Sequence, residues 1–320
     1  MVADGNFYLC PFNQCKMRLA IIDLGTNTCN LLVANTEEGK YEILYQGKEG
    51  VRLGKGGINK NMLTPEAFQR AETALKKHLQ IMNRFQVTEV KTIATSAVRD
   101  AVNQNDFASY LLKATGLKLT IISGEEEASL IFKGVKMAFG QIPGHSLILD
   151  IGGGSNEFIL PAENGIAWKN SFPLGMARII EQFHISDPVK HEETAAIEDY
   201  FDSGLTALWS QLEGKTIDRL IGCSGAFDTL ADLLDETAPG SKFRTTQNIS
   251  LSHFEQISLR VIRSTAAQRG KMTGMDPLRL EMIVPSFIFI RLITNRLNIR
   301  EITQTGFSLR EGVLYDQINC

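Results

Sequence analysis

Two apolar runs, far apart in the chain, end in the same way. The first leads to Asp23 and Gly25, and the second leads to Asp150 and the three glycines at 152–154. Two further apolar runs follow each of them. The three runs lie at 19–24, 31–34 and 41–46 in the first copy and at 147–151, 158–160 and 165–172 in the second. An apolar run, a tight turn and a returning run predict a β-hairpin. The sequence therefore predicts two copies of a three-stranded unit.

Helical patterns and further apolar runs follow each copy. Thr64 and Pro65 are typical of a helix start, and the acidic stretch from Glu125 suits the positive end of another helix. Helices are predicted at 125–139, 193–212, 226–234, 252–263, 277–297 and from about 308, and strands at 90–94, 117–122, 219–222 and 301–303. This alternation predicts an α/β protein with two similar domains that face each other across a central cleft.

Glycine and proline interrupt the pattern near 140–144, where we expect the boundary between the domains. The first domain is expected at 17–140 and the second at 141–304, with the C-terminal helix 305–320 completing the first. Residues 1–16 precede the first strand, and Met17 resembles a natural start. We expect 1–16 to be an upstream extension, with a genuine N-terminal tail as the alternative.

Composition narrows the class of protein. The 33 basic and 36 acidic side chains give a net charge of −3, so no global basic field indicates binding to nucleic acid or membrane. No stretch approaches the roughly 18 apolar residues of a membrane span, and no signal peptide is recognisable. Five dispersed cysteines indicate reduced thiols and a cytoplasmic protein. Cys10 and Cys15 lack the second pair that a zinc site requires.

The two glycine-containing turns are candidate phosphate sites. Glycines let backbone N–H groups approach an anion closely, and hydroxyl side chains add donors. The candidates are Gly25, Thr26, Asn27 and Thr28 in the first turn and Gly152, Gly153, Gly154 and Ser155 in the second. An aspartate before each turn, Asp23 or Asp150, can hold Mg²⁺. One such turn is typical of ordinary hairpins, but two matched copies favour a clamp for a phosphate chain.

Five strings in chain order carry a resemblance to a known family. They are DLGTN at 23–27, ISGEEEA at 122–128, DIGGGSNE at 150–157, GCSG at 222–225 and LREGVL at 309–314. Together they resemble the exopolyphosphatase and guanosine pentaphosphate phosphatase family. The resemblance implies two ribonuclease H-like domains of the actin, sugar kinase and heat-shock ATPase superfold. It also implies a hydrolase that releases orthophosphate from inorganic polyphosphate, or alternatively from guanosine pentaphosphate.

The same resemblance implies roles for single residues. Glu127 corresponds to the carboxylate that activates water, and Arg99 to a phosphate-binding arginine. Glu157 is expected to hold Mg²⁺ or Mn²⁺ with Asp23 and Asp150, and Arg52 to bind the extending anion.

Each assignment has a plainer alternative. The three glutamates from Glu125 can all stabilise a helix end at the surface, and Arg99 can form a surface ion pair with Asp100 or Asp106. Glu157 can be a polar residue on a half-exposed strand. Lys55 and Arg178 are weaker anion-binding candidates that we expect to be solvated.

Some positions depart from the family pattern, namely Asn156, Glu281 and Ser286, all in the expected second domain. A kinase of the same superfold and an actin-like filament or chaperone ATPase are the competing classes. The acidic string at Glu127 disfavours the kinase, and the compactness of the chain disfavours the ATPase. A homodimer is a further expectation. With few candidate cations along a track, and no further helical domain before Cys320, short polyphosphates are expected to be preferred.

Overall fold

The computed structural model describes residues 17–37 and 39–319, which form two mixed sheets with helices on their faces. The elements of the first half are β1 Met17–Leu24, β2 Thr28–Glu37, β3 Lys40–Gly50, a 3₁₀ helix Ile58–Lys60, α1 Pro65–Arg84, β4 Glu89–Ala94, α2 Ser96–Arg99, α3 Gln104–Thr115, β5 Leu119–Ile121 and α4 Gly124–Phe139. The strand order is β3-β2-β1-β4-β5. The three strands of the repeat are antiparallel, whereas β4 and β5 join in parallel.

The second half repeats this arrangement with one strand added. Its elements are β6 Ser146–Ile151, β7 Asn156–Ala162, β8 Gly165–Phe172, α5 Met176–Phe183, α6 His191–Gly204, α7 Thr206–Leu212, β9 Arg219–Cys223, α8 Ser224–Asp235, β10 Thr246–Ser250, α9 Leu251–Ile262, α10 Ala266–Arg269, α11 Ile283–Arg296, β11 Glu301–Thr305 and α12 Leu309–Ile318. The strand order β10-β11-β9-β6-β7-β8 matches that of the first sheet, apart from the antiparallel edge strand β10. The predicted repeat and fold class are confirmed.

The central strands are buried on both faces, which explains their continuous apolar runs. Because side chains alternate along a strand, Ile22 of β1 packs toward α1 and α3, while Ile21 packs toward α4 and α12. Ile148 of β6 joins Ile21 in one apolar core, and Leu149 faces the other way. Helices α4 and α12 therefore lie between the two sheets.

Two glycines bring these central helices into close contact. A Cβ at Gly134 would lie 2.8 Å from the carbonyl carbon of Ser308, and one at Gly312 would lie 2.6 Å from that of Leu130. The C-terminal helix α12 thereby packs against α4, and also contacts β1 and β2. The domain limits 17–140, 141–304 and 305–320 stay a prediction, and residues 1–16 lie outside the described part of the chain.

Two predicted helices differ from the observed ones. The helix expected at 193–212 is divided after Gly204, where a Cβ would lie 2.8 Å from the side chain of Leu174. The helix expected from 277 begins only at Ile283, because the ring of Pro285 would clash with a helical carbonyl four residues earlier. The stretch 277–282 forms turns instead, and these contribute to the wall of the cleft. Strand β10 was not predicted, since Ile249 is its one buried apolar residue.

Candidate active site

The two glycine turns meet at the centre of the molecule. Each is closed by a matching bond, from Gly25 N to Thr28 O at 2.9 Å and from Gly152 N to Ser155 O at 3.0 Å. A Cβ added at Gly153 would lie 3.0 Å from Cβ of Thr26. These distances show that the hairpins touch, and that glycine is needed where they do.

The second hairpin is also fixed by helix α5. The N–H groups of Met176 and Ala177 donate to the carbonyls of Gly152 and Gly153, at 3.0 and 2.8 Å. This contact uses carbonyl oxygens of the loop and does not engage its N–H groups, of which that of Gly152 is already bonded to Ser155 O. Gly175 makes the approach possible, because a Cβ there would collide with the backbone of 153–154.

A polar cleft opens beside both hairpins and encloses about 910 Å³ of empty space, including its mouth. Most of the predicted site residues line it, namely Asp23, Gly25, Thr26, Asn27, Thr28, Glu127, Asp150, Gly152, Gly153, Gly154 and Ser155. Arg52, Arg99 and Glu157 are absent from this lining. The structure therefore brings together both halves of the predicted phosphate clamp and the proposed base.

Three cations that the sequence reasoning missed also line the cleft: Lys48, Arg279 and Arg310. Lys48 bonds Asp276 at 2.5 Å, and the guanidinium of Arg279 lies against Gly225 with no partner at its buried Nε among the described residues. Arg310 lies within the quoted LREGVL string, which was a usable signal. Lys48 and Arg279 gave no such signal, because neither lies in one of the quoted strings.

The two hairpin aspartates are buried and under-neutralised. Burial raises the pKa of Asp23 to about 6, although a 2.9 Å bond from Asn30 opposes the shift. Burial also raises the pKa of Asp150, which accepts bonds of 2.5 Å from both Ser224 and Ser308. Neither aspartate forms an ion pair among the described residues, so each would gain from a cation.

The three consecutive glutamates have different environments. Glu126 forms a capping box with Ser123 at the start of α4, and Glu125 is exposed. Glu127 is 8% exposed, lines the cleft and accepts a 2.7 Å bond from Nη1 of Arg99. Burial and repulsion from Glu157 hold the pKa of Glu127 well above its usual value, with Arg99 opposing both. The surface alternative therefore fits Glu125 and Glu126, and not Glu127.

Arg99 has several partners. Besides Glu127, its Nη1 donates to the Ile122 carbonyl at 3.3 Å, its Nη2 reaches Ser155 Oγ at 3.5 Å, and its Nε lies 3.5 Å from Asp100. The expected ion pair with Asp100 is thus present, but it is neither the shortest nor at the surface.

Glu157 is 1% exposed, so the alternative of a half-exposed strand residue is wrong. Its Oε1 accepts bonds of 2.6 Å from both Ser155 and Ser171. Burial and then repulsion from Asp150 raise its pKa to about 7.

The donor set suits a hard divalent cation. Carboxylate oxygens of Asp23, Asp150 and Glu157 are the ligands that Mg²⁺ or Mn²⁺ prefers, and burial raises the pKa of each, a penalty on the charged form that a bound cation would offset. Across residues 17–37 and 39–319, however, no three His, Cys, Asp or Glu side chains converge closely enough to hold a metal ion. The residues fit an ion held by one or two carboxylates, with substrate phosphates and water completing its shell.

The predicted anion-binding residues that do not line the cleft have other environments than the sequence suggested. Arg178 is not solvated: it bonds the carbonyls of Gly154 and Ile58 and the carboxylate of Asp100, at 2.8, 3.1 and 2.6 Å. It therefore ties α5 to the first half. Arg52 has a left-handed backbone (φ 42°) and its carbonyl accepts from Arg70, while Lys55 is exposed. Two departures from the family pattern, Asn156 and Ser286, are buried and bond backbone carbonyls.

The fold and the site define a two-domain α/β protein of the actin and sugar kinase superfold, with a polar cleft lined by two glycine hairpins between its halves. A model of the Ppx/GppA phosphatase family matches residues 32–319. This chain belongs to the Ppx/GppA phosphatase family, and it is accordingly a hydrolase rather than a kinase.

Relatives agree with this assignment. The chain is 28% identical over 305 residues to exopolyphosphatase 1 of Mycobacterium leprae, covering 95% of this chain and 90% of that one. A crystal structure of an exopolyphosphatase from Cytophaga hutchinsonii is 36% identical, with a TM-score of 0.90 over 95% of this chain and 98% of that chain. The Aquifex aeolicus member of the family superposes with a TM-score of 0.76 at 22% identity, over 94% and 97%, which supports the fold.

Proposed function

We propose that this phosphatase is an exopolyphosphatase, which hydrolyses the terminal phosphoanhydride bond of inorganic polyphosphate and releases orthophosphate. The observation that carries the proposal is the position of Glu127, a buried carboxylate on the wall of the cleft beside both phosphate hairpins. The family membership and the exopolyphosphatase names of two relatives support it.

The terminal phosphoryl group would lie between the two hairpins. Thr26, Asn27, Gly153 and Gly154 line the cleft there, and their backbone N–H groups and the hydroxyl of Thr26 are the donors that would bind it. Such donors stabilise charge on phosphate oxygens without reorganisation during the reaction.

Glu127 would take the proton from a water that attacks phosphorus in line with the leaving oxygen. The new P–O bond forms as the bridging P–O bond breaks, and the proton passes to Glu127 and then to solvent or product. The pKa of Glu127 lies above that of an ordinary glutamate, which makes it a stronger base near neutral pH. A bound Mg²⁺ would neutralise phosphate charge, and one or two of the carboxylates of Asp23, Asp150 and Glu157 would hold it.

The cations Lys48, Arg279 and Arg310 would bind the phosphates behind the terminal one. All three line the same cleft as the hairpins. Arg178 is occupied by its own contacts and contributes no such charge. A short row of cations favours short polyphosphates, because each contact is electrostatic and few contacts are available.

Guanosine pentaphosphate is the second candidate substrate, because its terminal anhydride presents the same chemistry to the hairpins. The decisive experiment compares phosphate release from tripolyphosphate, longer polyphosphate, guanosine pentaphosphate and ATP, with ATP plus acceptor sugars as the test for a kinase. We expect the highest kcat/KM with a polyphosphate. A preference for guanosine pentaphosphate by an order of magnitude would overturn the proposal.

A cytoplasmic location and a homodimer stay predictions from the sequence. Among the described residues, no helix is both long enough and apolar enough to span a membrane. The two described cysteines that remain free, Cys29 and Cys223, are buried, while Cys10, Cys15 and Cys320 lie outside the described residues.

A further inference from the structure

A second cavity lies directly behind the catalytic wall of the cleft. It encloses about 810 Å³ of empty space, including its mouth, and its lining includes Arg99, Asp100, Glu125, Ser155, Asn170 and Ser171. We call it the outer cavity. Its volume is many times the roughly 30 Å³ that one water occupies in the liquid.

The wall between the cleft and the outer cavity is thin. Ser155 lines both spaces. Glu127 lines the cleft and Arg99 lines the outer cavity, and the two are joined by their 2.7 Å ion pair. Glu157 lies inside the wall, where Ser155 and Ser171 both donate to it.

Arg99 is the part of this wall that would have to move to connect the two spaces. Its Nη2 makes only a 3.5 Å contact with Ser155, and its side chain is 19% exposed on the outer side. A phosphate oxygen can replace Glu127 as the partner of the guanidinium, because arginine binds both groups in the same fork geometry. Glu125 and Asp100 add negative charge farther out, which opposes retention of an anion.

We propose that the orthophosphate product leaves through the outer cavity, with Arg99 as the gate, while the shortened chain still occupies the cleft. The inference rests on the proposed hydrolysis. In-line attack leaves the product between Glu127 and the retained chain, so the cleft mouth is blocked by that chain. Past Arg99 lies a second way out, and it does not require the chain to dissociate.

The order of product release tests this in the native enzyme. If orthophosphate leaves first, it binds the enzyme while the chain is in place, and it inhibits noncompetitively against tripolyphosphate. If both products leave by the cleft mouth, the chain leaves first and orthophosphate inhibits competitively, which overturns the inference. The test applies equally to guanosine pentaphosphate should that be the substrate, so a failed substrate assignment is distinguishable from a failed exit route.

A substitution that fills the outer cavity gives a second readout. Asn170→Trp places an indole in the outer cavity, and Asn164→Trp, in the exposed turn between β7 and β8, is the matched control. Acid quench measures bond cleavage, and a phosphate-binding fluorescent sensor measures free product. For Asn170→Trp we expect a burst of cleavage with free phosphate lagging several-fold, because release becomes limiting. The control should show both traces rising together.

Coincident traces in Asn170→Trp, at an unchanged rate or with cleavage equally slowed, would overturn the exit route. Equal melting temperatures establish that the variants are folded. Should Asn170→Trp fail to fold, Glu125→Trp fills the same cavity from an exposed position at the start of α4, and the same lag is expected.

Discussion

Two groups of carboxylates in this protein have pKa values that are shifted in opposite directions. In and beside the cleft, burial raises the pKa of Asp23 and of Asp228 to about 6 and that of the adjoining Glu157 to about 7. Some distance away, Arg244 bonds Asp232 at 2.6 Å and Asp235 at 2.8 Å. Burial raises the pKa of Asp235 too, but bonds from Lys242 and Arg244 outweigh it and bring the pKa to about 2.

The difference separates structural from functional charge. The Arg244 cluster is neutralised within the fold, so it holds the loop after α8 without any ligand. The cleft carboxylates have few cationic partners, Arg99 for Glu127 being the direct one. Such a cleft repels a phosphate chain unless a divalent cation lies between the two, which is the physical case for Mg²⁺.

Among the changes that test this contrast, Glu127→Gln should have the largest effect. The amide keeps the shape but cannot accept the proton from water, so we expect turnover to fall about 10²- to 10⁴-fold. The melting temperature should not fall, because one unfavourable buried charge is removed. Glu125→Gln is the matched control and should keep full activity. Near-normal turnover in Glu127→Gln would show that another group is the base.

Removal of divalent cations should have an effect of similar size. We expect excess EDTA to reduce activity to background and added Mg²⁺ or Mn²⁺ to restore it, because the cleft carboxylates and the substrate are both negative. Mg²⁺ should also raise the melting temperature, since a ligand of the native state stabilises it. Zinc should restore less, as the donors are oxygens. Full activity in EDTA would contradict the metal assignment.

Breaking the structural cluster should change stability and not chemistry. Arg244→Met leaves Asp232 and Asp235 without their partner, so we expect a loss of about 3 kcal/mol in the free energy of unfolding. Urea denaturation measures this loss, and kcat of the folded fraction should stay unchanged. A stable Arg244→Met variant with reduced kcat would place this cluster in the functional site.

The pH dependence of kcat/KM sharpens the role of Arg99. The acid limb should lie above the pKa of roughly 4.3 of a free glutamate, because the pKa of Glu127 is raised. Arg99 lowers that pKa, so Arg99→Met should move the limb to still higher pH. Arg52→Met, which has no contact with Glu127, should leave it in place. If the acid limb stays in place in Arg99→Met, Arg99 does not influence the pKa of the base.

The smallest expected effect is on how the stability of the metal-free protein changes with pH. Because the folded pKa of Glu157 is about 7 and the unfolded value roughly 4.3, its contribution makes the protein less stable as pH rises through this window. Glu157→Gln should flatten that slope in thermal melts between pH 5 and 8, values chosen to bracket the two pKa values. Asp235, with its pKa lowered, acts oppositely: its stabilising contribution is lost only as pH falls below about 4. An unchanged slope in Glu157→Gln would show that this carboxyl is not strained.

Much of the fold followed from the sequence because its signals are local. The paired apolar runs and the glycine turns between them predicted both hairpins, and the cap at Thr64 predicted the start of α1. The cap is seen in the structure as a bond from Ala67 N to Thr64 Oγ1. Strand β10 and the late start of α11 were missed, because pairing with β11 and the position of Pro285 outweigh local propensity there.

The sequence alone determined that the two hairpins are equivalent and that their aspartates, glycines and hydroxyls suit phosphate, because these properties lie in residue types at fixed spacing. Only the tertiary structure decided which of three consecutive glutamates enters the cleft, since that depends on the rotation of α4 against β8 at Gly124. It likewise decided that Arg178 forms a structural ion pair with Asp100 and is not a free cation. It also brought Lys48, Arg279 and Arg310 together from three distant segments. Burial, ion pairing and raised pKa values arise from long-range neighbours, which spacing along a chain does not specify.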